Sequence, residues 1–254
     1  MKITFLGSGT SQGIPVIACN CAVCTSNDTR DKRLRASILI ENQGKVIVVD
    51  SGPDFRYQML RAQVKQLDAI VFTHEHKDHV AGMDDIRAFN HKQQSEIDIY
   101  AHKRVQEALK REFAYIFSHI KYPGVPLVHL HEITNSPFNI GDIEIQPIEV
   151  MHFKLPVLGF RIANFTYITD AKTVSEEEKM KIRGSEILVV NALQKDKHIS
   201  HFTLDEAIAF SKEIAAPKTY FTHLSHKMGK HADVSQELPE GIELAYDGLV
   251  LTIG

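Results

Sequence analysis

Short apolar runs recur from one end of the chain to the other, each closed by turn residues. Residues 3–6, 37–40, 46–49, 69–72, 97–100, 143–150, 160–169, 187–191, 219–222 and 244–253 read as strands. Gly7-Ser8-Gly9, Asn42-Gln43-Gly44, Gly141-Asp142 and Asp247-Gly248 punctuate them. Helical spacing fills the intervals. Phe55, Met59, Leu60 and Val64 share one face of 55–65, and 80–92 and 105–117 read alike. Ser175 with Glu178 and Thr203 with Glu206 form capping boxes that open two later helices, the second carrying Leu204, Ala207, Ile208 and Ser211 on one face. Strands and helices mixed along one long chain predict an α/β or layered α+β domain.

The 254 residues allow one large domain or two small ones. With no repeat, low-complexity tract or linker to divide them, residues 1–254 read as a single domain. At 43% hydrophobic and 24% charged residues the composition is globular, which excludes disorder. A net charge of −3 supplies no general field for nucleic acid or an anionic membrane. The apolar runs are far too short to span a bilayer, and the N-terminus lacks the apolar core of a signal peptide, so a cytoplasmic location is expected. Histidine is the outlier, with 14 copies. The three cysteines, Cys19, Cys21 and Cys24, form a C-x-C-x-x-C cluster that suits a metal in a reducing compartment better than disulfides.

The run 69–72 leads directly into Thr73-His74-Glu75-His76-Lys77-Asp78-His79, an H-x-H-x-D-H pattern. Alternate residues at a strand end point to one side, so His74 and His76 can grip one ion together. The chain then turns into a helix, with Asp78 expected as its N-cap and His79 aimed back at the same pocket. Two ligand clusters this close can hold two cations, as in two-metal hydrolases. His152, Asp170 and His223 each end an apolar strand, and several strands ending at one sheet edge can converge there.

Taken in order, these residues resemble the metallo-β-lactamase superfamily, with Asp50 at the end of Val46–Asp50 resembling its first motif. The resemblance implies a four-layer αββα sandwich with two divalent metals, zinc or manganese, at one edge of its two sheets. It implies His74, His76 and His152 for one ion, Asp78, His79 and His223 for the other, Asp170 between them, and an orienting role for Asp50. Within the superfamily, the cysteine cluster and Thr222-His223-Leu224-Ser225-His226 are similar to the phosphoribosyl cyclic phosphate phosphodiesterase branch. That branch implies a structural zinc on Cys19, Cys21, Cys24 and His226, although spacing alone leaves His231 as a rival fourth ligand. It also places a general acid before the penultimate helix, where His201 matches best. Asp78 joins His201 among the expected catalytic residues, and His198 has no assigned role.

The resemblance implies a metal-dependent hydrolase acting on a small cyclic or nucleotide-like phosphodiester, and the charge and short apolar runs predict no membrane or nucleic-acid partner. The resemblance allows a homodimer. Arg56 and Arg87 could bind substrate phosphate, but each reads first as a surface residue on its predicted helix. A glycine-rich basic arm of the tRNA-maturing nucleases is not visible. The alternatives are a thioester or amide hydrolase of the same fold and a non-catalytic metal-binding regulator.

Overall fold

The computed structural model describes residues 1–120 and 122–254. Its strands in chain order are β1 (Lys2–Gly7), β2 (Ser37–Asn42), β3 (Lys45–Val49), β4 (Ala69–Val71), β5 (Ile97–Ala101), β6 (Val128–Glu132), β7 (Phe138–Ile140), β8 (Ile143–His152), β9 (Leu155–Ile162), β10 (Phe165–Tyr167), β11 (Ile187–Asn191), β12 (Lys218–Thr222), β13 (Ile242–Leu244) and β14 (Val250–Thr252). The helices are α1 (Phe55–Arg61), α2 (Lys77–Val80), α3 (Arg87–Gln93), α4 (Lys103–Glu112), α5 (Ala114–Phe117), α6 (Glu176–Ile182), α7 (Leu204–Ile214) and α8 (His231–Glu237).

The strands form two seven-stranded sheets, ordered β14-β1-β2-β3-β4-β5-β6 and β13-β12-β11-β10-β9-β8-β7. Each sheet has three antiparallel pairings followed by three parallel ones, reading from β14 in the first and from β7 in the second. Alternation along each strand explains the layers. In β3 and β4, Ile47, Val49, Ala69 and Val71 face the second sheet and meet Phe160, Tyr167 and Val189. Val48 and Ile70 face the other way, onto Phe55 of α1, Phe89 of α3 and Leu109 of α4. On the second sheet, Val150, Leu188 and Phe221 pack under Ile182 of α6, Phe210 of α7 and Val234 of α8. Central strands are thus covered on both faces, which is why they read as continuous apolar runs. Each such buried side chain contributes roughly 1.5–3 kcal/mol. Two mixed sheets between two helical layers are the αββα sandwich.

Several sequence expectations are corrected. The run 160–169 is the end of β9, a turn and β10, because Ala163 takes a left-handed φ of 50°. The run 244–253 divides at Asp247-Gly248 into β13 and β14, which belong to different sheets. The helix expected over 80–92 breaks at Gly82, whose neighbourhood has no room for a side chain: an added Cβ would meet the Gly52 carbonyl oxygen at 2.1 Å. Asp78 is not an N-cap; His76 holds that position and Asp78 lies inside α2. Thr203 and Glu206 complete their capping box. Ser175 caps α6, but the Glu178 carboxylate turns away to Asn135, Lys181 and the Glu149 amide.

Candidate metal centre

Asp50, His74, His152, Asp170 and His223 all lie at the C-terminal ends of strands that reach the same edge of the sandwich. Asp50, Asp170 and His223 have left-handed backbones, with φ of 64°, 57° and 56°. Such conformations are costly for residues with a Cβ and cluster at functional sites. Here Asp170 and His223 turn their side chains out of the strand direction and into the cleft, and Asp50 turns its carboxylate under the histidine loop.

Hydrogen bonds then fix the imidazoles. Asp50 is fully buried. Its Oδ1 accepts the Thr73 amide at 2.9 Å, and its Oδ2 accepts the Thr73 hydroxyl at 2.8 Å and His79 Nδ1–H at 2.7 Å. Because the Thr73 hydroxyl donates to Asp50, its oxygen is left to accept from His74 Nδ1, 2.9 Å away. His152 Nδ1 donates to the Ser200 carbonyl at 2.8 Å. All three rings therefore spend Nδ1–H on the protein and present Nε2 to the cleft, the arrangement typical of metal-binding histidines.

The donor atoms converge. His79 Nε2 is 3.2 Å from both Asp78 Oδ2 and Asp170 Oδ2, and His223 Nε2 is 3.3 Å from Asp170 Oδ1. The groups His74/His79/Asp170, Asp78/His79/His223 and His152/Asp170/His201 each bring their donor atoms within 4.8 Å. Asp170 is common to two of them. The more exposed His76 has its ring 4.5 Å from that of His74 and 5.2 Å from that of His152. His74 Nε2, His79 Nε2 and His223 Nε2 are buried without a hydrogen-bond partner. Unpartnered buried imidazole nitrogens of this kind beside Asp78 and Asp170 fit divalent cations.

The charges agree with that fit. Burial lowers the pKa of His79, but Asp50, Asp170 and Asp78 outweigh it and hold the ring well above its ordinary value. Burial raises Asp170, but His223 and His79 pull it well below the usual carboxylate range. The three carboxylates demand positive charge, which a proton on His79 supplies in the free chain and metal ions would supply in the loaded one.

His201 is buried beside this cluster, its ring centroid 4.4 Å from His152 and 4.9 Å from His223, with Nδ1 3.8 Å from Asp170 Oδ1. Burial pushes its pKa down to about 3 against the opposing pull of Asp170. His198 lies at the rim, 5.1 Å ring to ring from His201. Neither Arg56 nor Arg87 pairs with the cluster. Arg56 is exposed on α1 beside Met59 and Asp85, and Arg87 pairs with Asp84 at 3.4 Å.

Cys19, Cys21 and Cys24 surround His226. Their Sγ atoms are 3.3, 3.5 and 3.6 Å from His226 Nδ1. His231 is directed elsewhere: its Nδ1 accepts from Arg33 Nη2 at 3.1 Å. The Cys24 amide, which donates to Cys21 Sγ, helps lower the Cys21 pKa to about 6, against burial and with aid from His226. That favours the thiolate a metal needs. Three sulfurs and one imidazole are a closed tetrahedral set of the kind zinc takes in structural sites.

Some supporting residues carry no obvious sequence signal. Arg104 spans from Glu75 Oε1, at 2.9 Å, to the Pro156 carbonyl, at 2.6 Å, tying the histidine loop to the β8–β9 hairpin that carries His152. Asn191 is different, because it too ends an apolar strand. Its amide accepts from Ala171 N–H at 2.6 Å and donates to the Ala171 carbonyl at 3.0 Å, bracing Asp170.

A family model described as the beta-lactamase superfamily domain matches residues 45–224. The chain belongs to that superfamily. A solved structure described as a new diphosphatase from the PhnP family superposes on this metallo-β-lactamase fold with a TM-score of 0.92 and 37% identity, covering 98% of this chain and 96% of that one. The chain thus falls in the PhnP-like branch. Zinc-bound PqqB from Methylobacterium extorquens shares the fold at a TM-score of 0.81 and 18% identity, over the full length of both chains. Among curated relatives, an octanoyltransferase of Porphyromonas gingivalis is 39% identical over 252 residues, 98% of this chain but 51% of the relative. Ribonuclease Z of Nostoc punctiforme is 26% identical over 168 residues, 64% of this chain and 47% of the relative. The chain spans about half the length of these curated relatives. Among the described residues no helix is long and apolar enough to cross a membrane.

Proposed function

We propose that this metallo-β-lactamase-fold chain is a two-metal phosphodiesterase acting on a small cyclic or nucleotide-like phosphodiester. The observation that carries the reading is His201, a buried histidine whose Nδ1 has no hydrogen-bond partner, beside the converging donors of the metal cluster. His74, His76 and His152 would hold one ion, Asp78, His79 and His223 the other, with Asp170 between them. Two divalent ions there, zinc or manganese, would lower the pKa of water from about 15.7 to about 7 and neutralise phosphoryl charge. Asp50 and Thr73 keep His79 and His74 in the tautomers that leave Nε2 free. Asp170 is braced by Asn191 and by the Thr169 hydroxyl, 2.6 Å from its Oδ2. His201 takes up a proton as the phosphate anion enters and delivers it to the departing alkoxide, a step worth about 10²–10⁴-fold. The diphosphatase described for the 37%-identical structure supports phosphoryl chemistry.

The second reading is hydrolysis of a thioester, and the octanoyltransferase relative favours it because that activity handles an acyl group. Half of that relative lies outside the match, so its activity need not reside in the shared part. A thiolate also leaves without a proton, which gives His201 no task. Turnover of a cyclic phosphodiester, an acyl thioester and a lactam by metal-loaded protein separates the readings. Phosphodiester turnover that exceeds the other two supports the proposal, and preferential thioester turnover overturns it.

A further inference from the structure

β6 ends the first sheet, so among the described residues one of its edges is unpaired. His129 and His131 stand two positions apart on it and project from the same face. Parallel pairing sets Asp98 opposite His129 and Tyr100 opposite His131. Asp98 Oδ1 lies 2.8 Å from His131 Nε2 and 3.5 Å from His129 Nδ1. Tyr100 stacks flat on His131, centroids 4.4 Å apart at 9°, and Phe138 stacks on Tyr100 at 5.4 Å. The His131 ring is thereby held against the aromatic margin of the core. His129 stays open to water, its side chain 63% exposed.

The donor atoms of Asp98, His129 and His131 lie within 4.8 Å of one another. Among the described residues, none of the three hydrogen-bonds or pairs with a residue of the centre or of the cysteine cluster. A single histidine would satisfy the Asp98 oxygen, yet two imidazoles converge on it from adjacent positions of an edge strand.

We infer that Asp98, His129 and His131 form an additional, open site for a divalent d-block cation such as Zn²⁺ or Cu²⁺. Two imidazoles and one carboxylate suit those ions, whereas Mg²⁺ and Ca²⁺ prefer shells of oxygen. Three protein ligands leave positions for water, so this ion exchanges freely. It also joins the last strand of the sheet to its neighbour.

The test uses protein already loaded with zinc at the other sites. Equilibrium dialysis against rising Zn²⁺ should show one more ion per chain in the wild type than in His129→Gln. Cu²⁺ added to the zinc-loaded protein should give an electron paramagnetic resonance spectrum with coupling to two imidazole nitrogens. His129→Gln and His131→Gln should each lose that two-nitrogen pattern. His129 is exposed and outside the hydrolytic machinery, so His129→Gln should keep its fold and its hydrolysis rate. Equal ion counts and unchanged copper spectra in both variants would overturn the assignment.

Discussion

Asp50 Oδ2 accepts the Nδ1 proton of His79 at 2.7 Å, and the opposite nitrogen of that ring faces Asp78 and Asp170, 3.2 Å from each. A carboxylate that never reaches the cleft thus decides which histidine nitrogen does. Asp50→Asn keeps the volume and removes the charge. Metal affinity at the centre should fall about 10–100-fold, measured by competition with a chromophoric chelator. Undiminished affinity would refute the orienting role.

The sulfur site should hold its ion more tightly than the open centre. Mild chelation of protein carrying about three ions per chain at the centre and the sulfur site together should remove two first and leave one. Elemental analysis of the dialysed protein follows this directly. Loss of all three together would contradict a closed thiolate site.

Substitutions at the two rival histidines test which one completes that site. His226→Ala and Cys21→Ser should each lower both the retained zinc and the melting temperature, since structural zinc contributes to folding free energy. His231→Ala should keep its zinc, because its ring is occupied with Arg33. Zinc loss in His231→Ala alone would reverse the assignment.

His201→Ala should keep its metals and lose kcat by about 10²–10⁴ on an alkyl phosphodiester. A nitrophenyl ester, whose leaving group is stable as an anion, should slow far less. His74→Ala should impair both substrates alike. Equal slowing of both substrates in His201→Ala, with metal content intact, would remove the histidine from the proton-transfer step.

Gly52 packs against the helix that carries Asp78 and His79. An added Cβ there would meet the Asp78 carbonyl oxygen at 2.0 Å. Gly52→Ala should therefore destabilise the fold by about 1–3 kcal/mol and displace α2, lowering metal retention as well. Denaturant melts with parallel metal analysis report both effects, and a wild-type midpoint would show that the loop moves freely.

Much of this architecture was legible because local pattern and tertiary role coincide. The H-x-H-x-D-H run is contiguous, and His152, Asp170 and His223 stand out as polar ends of apolar strands. Asn191 has the same context, but an amide that braces a loop has no spacing to a partner that a sequence would reveal. β6 was missed because Val128-His129-Leu130-His131-Glu132 is too polar for an apolar-run criterion; it lies at a sheet edge where one side meets water. Arg104 was missed because helix α4 and the β8–β9 hairpin meet only in three dimensions. The choice between His226 and His231 needed the position of Arg33, which no spacing encodes.

The matching order of pairings in the two sheets has a consequence for assembly. One half of the chain supplies His74, His76, Asp78 and His79, and the other supplies His152, Asp170 and His223. On the proposed ligand set neither half would own a complete coordination shell, so ions held across that edge would act as a clasp between the halves. Loading would then report docking, and stripping the ions would loosen the seam between the sheets before it disturbed the hydrogen bonding within either one.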